Sequence, residues 1–65
     1  MKIKLSEQEN LKEIGTIELE VVPIKDDCVL FEETVYLVMN ILYSKNETSL
    51  IVRKHPRYNG DNFVV

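Results

Sequence analysis

Residues 28–43 read CVLFEETVYLVMNILY, the one long apolar segment in the chain, and any core must be built on it. Two periodicities compete there. As a helix, Leu30, Phe31, Thr34, Val35, Leu37, Val38, Ile41 and Leu42 share one broad face at i, i+4, i+7 and i+11 spacing. Glu32, Glu33, Tyr36, Asn40 and Tyr43 then gather opposite, and Asp26 and Asp27 stand where an N-cap and a favourable dipole charge belong. As a strand, Val35, Leu37, Met39, Ile41 and Tyr43 alternate with Tyr36, Val38, Asn40 and Leu42. The β-branched and aromatic content suits that reading. The adjacent pair Glu32-Glu33 breaks a two-residue alternation but fits a polar helix face, and the segment is far longer than the usual strand of about 5–6 residues. The spacing therefore predicts a central helix over residues 27–44, with strands as the alternative.

Outward from this segment, Thr16 to Ile24 reads TIELEVVPI, with Ile17, Leu19 and Val21 on one side of a strand and Glu18 and Glu20 on the other. Pro23 cannot donate to a ladder, so the strand lies at an edge or ends there. Residues 1–5, MKIKL, alternate lysine with Ile3 and Leu5 as a half-buried strand does. Between them, Ser6-Glu7-Gln8-Glu9 has capping-box spacing and Gly15 suits a helix end, which predicts a short helix over residues 7–14; an irregular connection fits equally. Residues 49–54 read as a short strand. Asn59-Gly60 is the strongest tight-turn dipeptide, and residues 62–65 offer a closing strand. The expected fold is α+β, a small antiparallel sheet of about four short strands packed on one central helix. If residues 28–43 are strands instead, a small all-β barrel follows.

Sixty-five residues make one domain, 1–65, and a thin one. A chain of this length buries only about 60% of the surface its unfolded form exposes. One cysteine allows no internal disulfide, and one His with one Cys supplies no structural metal set. Association with itself or a partner is the remaining device, most simply a two-fold homodimer, with Tyr36, Met39 and Tyr43 as candidate interface residues on the central segment. The opening residues show no apolar secretion signal, and no run of 18 apolar residues could span a membrane as a helix. A cytoplasmic location is expected.

Charge is unevenly spread. Residues 1–33 hold nine acids against four lysines, and residues 34–65 hold four basic residues against two acids, giving the overall −3. Such a split argues against general nucleic-acid binding. It leaves room for an acidic face that meets a basic partner.

Candidate chemistry is sparse. Cys28 and His55 are the only conceivable thiol–imidazole pair, but Asp26, Asp27, Glu32 and Glu33 disfavour a thiolate and no orienting third group is evident. A small buried apolar role is expected for Cys28. Asp26-Asp27 and Glu32-Glu33 lack the spacing of a calcium loop, and capping or a solvated face explains them. Arg53-Lys54-His55-Pro56-Arg57-Tyr58 is the only basic cluster, with an aromatic beside it, the composition of a loop that contacts phosphates or stacks on a base. No phosphate loop, dinucleotide fingerprint, nucleophile elbow or metal-ligand set appears, so no enzymatic activity and no cofactor are expected.

The leading expectation is a small acidic interaction protein, of the kind a phage or mobile element uses as an inhibitor. It would occupy a basic surface of a nucleic-acid-handling protein through Glu18, Glu20, Glu32 and Glu33. Two alternatives stand beside it. One is a dimeric nucleic-acid-binding regulator using Arg53, Lys54, Arg57 and Tyr58; the other is a structural subunit of a larger assembly.

Overall fold

The computed structural model describes residues 1–57, and all the regular structure among them is strand. In chain order these are β1 (Lys2–Glu7), β2 (Glu13–Glu18), β3 (Cys28–Phe31), β4 (Thr34–Tyr43) and β5 (Thr48–Lys54). They form one sheet in the order β2-β1-β5-β4-β3. β1 runs parallel to β5, and the other three pairings are antiparallel. The chain therefore goes up and down five times, and with an odd number of strands the first and last meet in parallel. The sheet curls into a half-barrel that is continuous through β1–β5 and open between its two edge strands, β2 and β3. No helix among the described residues is long and apolar enough to cross a membrane.

The expected α+β fold with a helix over residues 27–44 is thus corrected to an all-β sheet, which resembles the small all-β barrel held as its alternative but does not close. Two devices in the sequence explain the difference. Glu32 and Glu33 form the two-residue link of the β3–β4 hairpin, whose closing pair is Phe31 and Thr34. Both glutamates have positive φ, 48° and 66°, as the hairpin turn that matches strand twist requires. This turn is usually built from Asn and Gly, so Glu-Glu conceals it. The second device is a bulge at Met39: Val38 pairs with Val52, Asn40 with Ile51 and Ile41 with Leu50. One extra residue lets Val38 and Ile41, three apart, face the same side while Asn40 faces solvent. A three-residue apolar spacing reads as helix.

The expected short helix over residues 7–14 is also replaced. Glu7 and Lys12 close a loop through the Glu7 amide donating to the Lys12 carbonyl, and the Asn10 side chain accepts from the Lys12 amide. Leu11 sits at φ 57° in that loop, and Gly15 lies inside β2. The strand expected over residues 16–23 begins earlier and ends at Glu18, before Pro23. Residues 62–65 and the Asn59-Gly60 turn lie outside the described residues.

Core side chains come from the inner face. Ile3, Leu5, Val38, Leu50 and Val52 are wholly buried; Val29 and Tyr36 complete the cluster, with Ile14, Ile17, Leu19, Val22, Phe31 and Ile41 packed against it. Burying one such aliphatic side chain contributes about 1.5–3 kcal/mol. The register accounts for the grouping, since Ile3 lies beside Ile17 and Leu5 beside both Gly15 and Leu50. Every strand therefore sends its inward positions to one side.

Candidate functional site: an open seam between the sheet edges

β2 and β3 are the farthest strands in the sheet order, yet they meet at one point. The Phe31 ring lies over Gly15, so close that a Cβ built on Gly15 would stand 2.5 Å from Cζ. Curling has brought the two edges together at the end of the half-barrel that carries the Glu32-Glu33 turn. Away from that contact the edges separate. There a groove of about 370 Å³ opens, lined by Ile17 of β2, Leu19, Val21, Val22, Pro23 and Asp27 of the connection, and Cys28, Val29 and Leu30 of β3.

The connection from Leu19 to Asp27 forms one wall of the groove and is held by defined bonds. The Leu19 amide donates to the Met1 carbonyl, fixing the end of β2. The Ile24 amide donates to Asp27 Oδ2, and the Asp27 amide to the Ile24 carbonyl, which makes a tight turn with Asp26 at φ 75°. The Asp26 amide donates to the Val38 carbonyl and the Val38 amide to the Asp27 carbonyl, tying the turn to β4. This wall leaves apolar surface in solvent: Val21 is 76% exposed, Ile24 68% and Leu30 of the facing strand 60%. Asp27 is the one charged residue of the lining. Glu18, Glu20 and Asp26, next in sequence to lining residues, are exposed as well, with Lys25 the one cationic side chain within residues 17–30.

The four glutamates read as one acidic face are divided. Glu18 ends β2 opposite Lys2 and holds the Met1 amine at 2.9 Å, with Glu20 just beyond. Glu32 and Glu33 cap the hairpin at the other end of β4, whose ten residues span about 30 Å at a strand rise of about 3.3 Å. Of the four, only Glu18 and Glu20 are next in sequence to groove-lining residues, Ile17, Leu19 and Val21.

The basic residues fall at a third place. Arg53 and Lys54 end β5, and with Glu7, Gln8 and Glu9 they line a polar cleft of about 300 Å³. Arg57 follows, exposed, its amide donating to His55 Nδ1. Tyr58 lies outside the described residues. Of the three candidate interface residues, Tyr36 is buried in the core, Met39 is half-buried at the bulge and Tyr43 is exposed at the end of β4.

Cys28 and His55 do not form a pair. Cys28 lies opposite Leu37, and the His55 amide donates to the Val35 carbonyl, so the two residues sit on opposite sides of β4, two strand spacings across and two residues along, about 12 Å apart. The burial expected for Cys28 is corrected as well: as the first residue of an edge strand it is exposed and lines the groove. Among the described residues no cluster of three or more His, Cys, Asp or Glu could hold a metal ion.

Sequence reading missed the seam. Its apolar lining is visible in the sequence as VVPI at residues 21–24, but alternation assigns that run to the end of an edge strand and does not show the groove beside it. No family model, curated protein or solved structure matches the chain.

Proposed function

We propose that this chain is a non-enzymatic cytoplasmic interaction module that binds a protein partner at the seam between β2 and β3. The observation that carries the reading is the exposed apolar surface of Val21, Ile24 and Leu30 around a formed groove. Clustered apolar side chains with a charged border are the usual makeup of a recognition surface. The acidic surroundings keep the notion of a basic partner but move it from four glutamates to Glu20, Asp26 and Asp27, Glu18 being paired with the Met1 amine. The test is partner capture from a cell extract by the wild-type chain, by Leu30→Lys and by a variant carrying both Arg53→Ala and Lys54→Ala. Partners lost with Leu30→Lys and kept with the double alanine variant support the seam; the opposite pattern sinks it.

A second reading rests on the end of β5, where Arg53, Lys54 and Arg57 stand together, exposed. The ion pairs found among the described residues, Met1–Glu18 and Lys4–Glu47, do not involve them. A phosphate backbone is the partner for such a cluster, although Glu7 and Glu9 across the cleft oppose it. Binding to a single-stranded oligonucleotide at low salt, weakening steeply as salt rises, would favour this reading.

A further inference from the structure

We infer that the seam takes its partner as an added strand: an extended polypeptide segment, apolar at alternate positions and flanked by lysine or arginine, that pairs with the free edge of β3. This rests on the seam being the interaction site and goes further by naming the chemistry of its occupant.

The backbone supplies the first argument. Phe31 and Thr34 close a two-residue hairpin, so Phe31 and, two residues back, Val29 turn their amides and carbonyls toward β4. Val38 is bonded on that same side to Asp26 and Asp27, whereas the Val35 carbonyl, opposite Leu30, is taken by the His55 amide on the β5 side. Alternation then sends the amides and carbonyls of Cys28 and Leu30 outward, into the seam. Two donors and two acceptors in a row at an edge are a template for another strand.

Side chains supply the second. Cys28 and Leu30 are exposed on this edge and line the groove, facing Val21, Val22 and Pro23 across it. An added strand places every second side chain against that wall, which calls for apolar residues at alternate positions. Charge supplies the third. Asp27 lines the groove and Glu20 and Asp26 are exposed beside it against Lys25, Glu18 being paired with the Met1 amine; this acidic excess favours basic flanks and opposes a second copy of this chain, whose own seam carries the same sign.

A nine-residue peptide with valine and threonine in alternation between terminal lysines is the probe, titrated into the full chain with amide exchange followed residue by residue. Binding should slow exchange at Cys28 and Leu30 and should be about tenfold tighter than for the same peptide with glutamate ends at low salt. Backbone N-methylation at alternate residues should abolish binding in one register and spare it in the other, because only one side of the peptide faces β3. Absence of saturable binding up to about 1 mM overturns the strand proposal, and so does equal binding of both methylated forms. If Leu30→Lys still loses partners from an extract in that case, the seam stands as the interaction site and only the strand chemistry fails. A concentration-dependent dimer that Leu30→Lys dissolves would assign the edge to a second copy and overturn the proposal.

Discussion

The Phe31 ring rests on the bare Cα of Gly15, joining strands that lie at opposite ends of the sheet order. This contact is what makes the curled sheet a half-barrel with a bounded seam. It also makes the effect of a methyl group at position 15 depend on position 31. With Phe31 present, Gly15→Ala puts Cβ within 2.5 Å of Cζ, and the ring must swing away. Relief by ring movement limits the loss to about 1–2 kcal/mol. With Phe31→Ala as background the clash is gone, and the same substitution should stabilise by about 0.4–1 kcal/mol through the reduced freedom of the unfolded chain. Urea denaturation of the four proteins completes the cycle. Additive effects would mean that the two residues do not touch.

The β3–β4 turn is strained by its own residues. Glu32 and Glu33 both occupy positive φ, where a side chain costs roughly 1–2 kcal/mol and glycine costs little. Two adjacent carboxylates add repulsion. Replacing the pair by Asn-Gly should stabilise the chain by about 1–2 kcal/mol while leaving the strands unchanged. A raised melting temperature with an unaltered circular dichroism spectrum is the expected result. A fall in stability would mean that the glutamates make a contact that the turn geometry does not reveal.

Core and surface leucines of neighbouring strands β5 and β4 should separate sharply. Leu50 is wholly buried where β5 meets both β1 and β4, whereas Leu42, two residues from Ser44, is half exposed. Leu50→Ala should cost about 2–5 kcal/mol, a large part of the roughly 3–10 kcal/mol expected for a chain this size. Leu42→Ala should cost under about 1 kcal/mol, measured by the same denaturation series. In the helix reading Leu42 belonged to the buried face, so equal losses at both sites would favour that packing over the sheet.

Lys2 to Leu5 were legible because lysine alternates with Ile3 and Leu5, and residues 49–54 because Leu50-Ile51-Val52 is a short apolar run of strand length, buried on both faces. Ile17 and Leu19 also face as the alternation predicts. The central segment was not legible, for reasons that lie in three residues. Glu32 and Glu33 carry no turn signature, and Met39 converts a period of two into an i, i+3 spacing between Val38 and Ile41. The seam was hidden too, because it depends on the Gly15–Phe31 contact across the whole width of the sheet. No local pattern reports a long-range closure of that kind. Residue type made Glu18, Glu20, Glu32 and Glu33 look like one face, and only the strand register reveals that they occupy two ends.

Met39 gives the most direct test of that register. Since Val38, Asn40 and Ile41 already pair with three consecutive residues of β5, Val52, Ile51 and Leu50, removing Met39 leaves an unbroken ladder with every inward residue still inward. The deletion should fold, at a cost of about 1–2 kcal/mol from the half-buried side chain it removes. It should also reduce the local twist that the bulge imposes, loosening the approach of Phe31 to Gly15. Deleting Leu37 is the control. It would shift the whole β3–β4 hairpin by one residue, turning Tyr36 out of the core and Val35 into it, and a slip of that kind reverses a face that must stay buried. The Met39 deletion should therefore give a dispersed amide spectrum with a weakened ring-current shift at Gly15, and the Leu37 deletion should be unfolded. An unfolded Met39 deletion beside a folded Leu37 deletion would refute the register of β4 on β5.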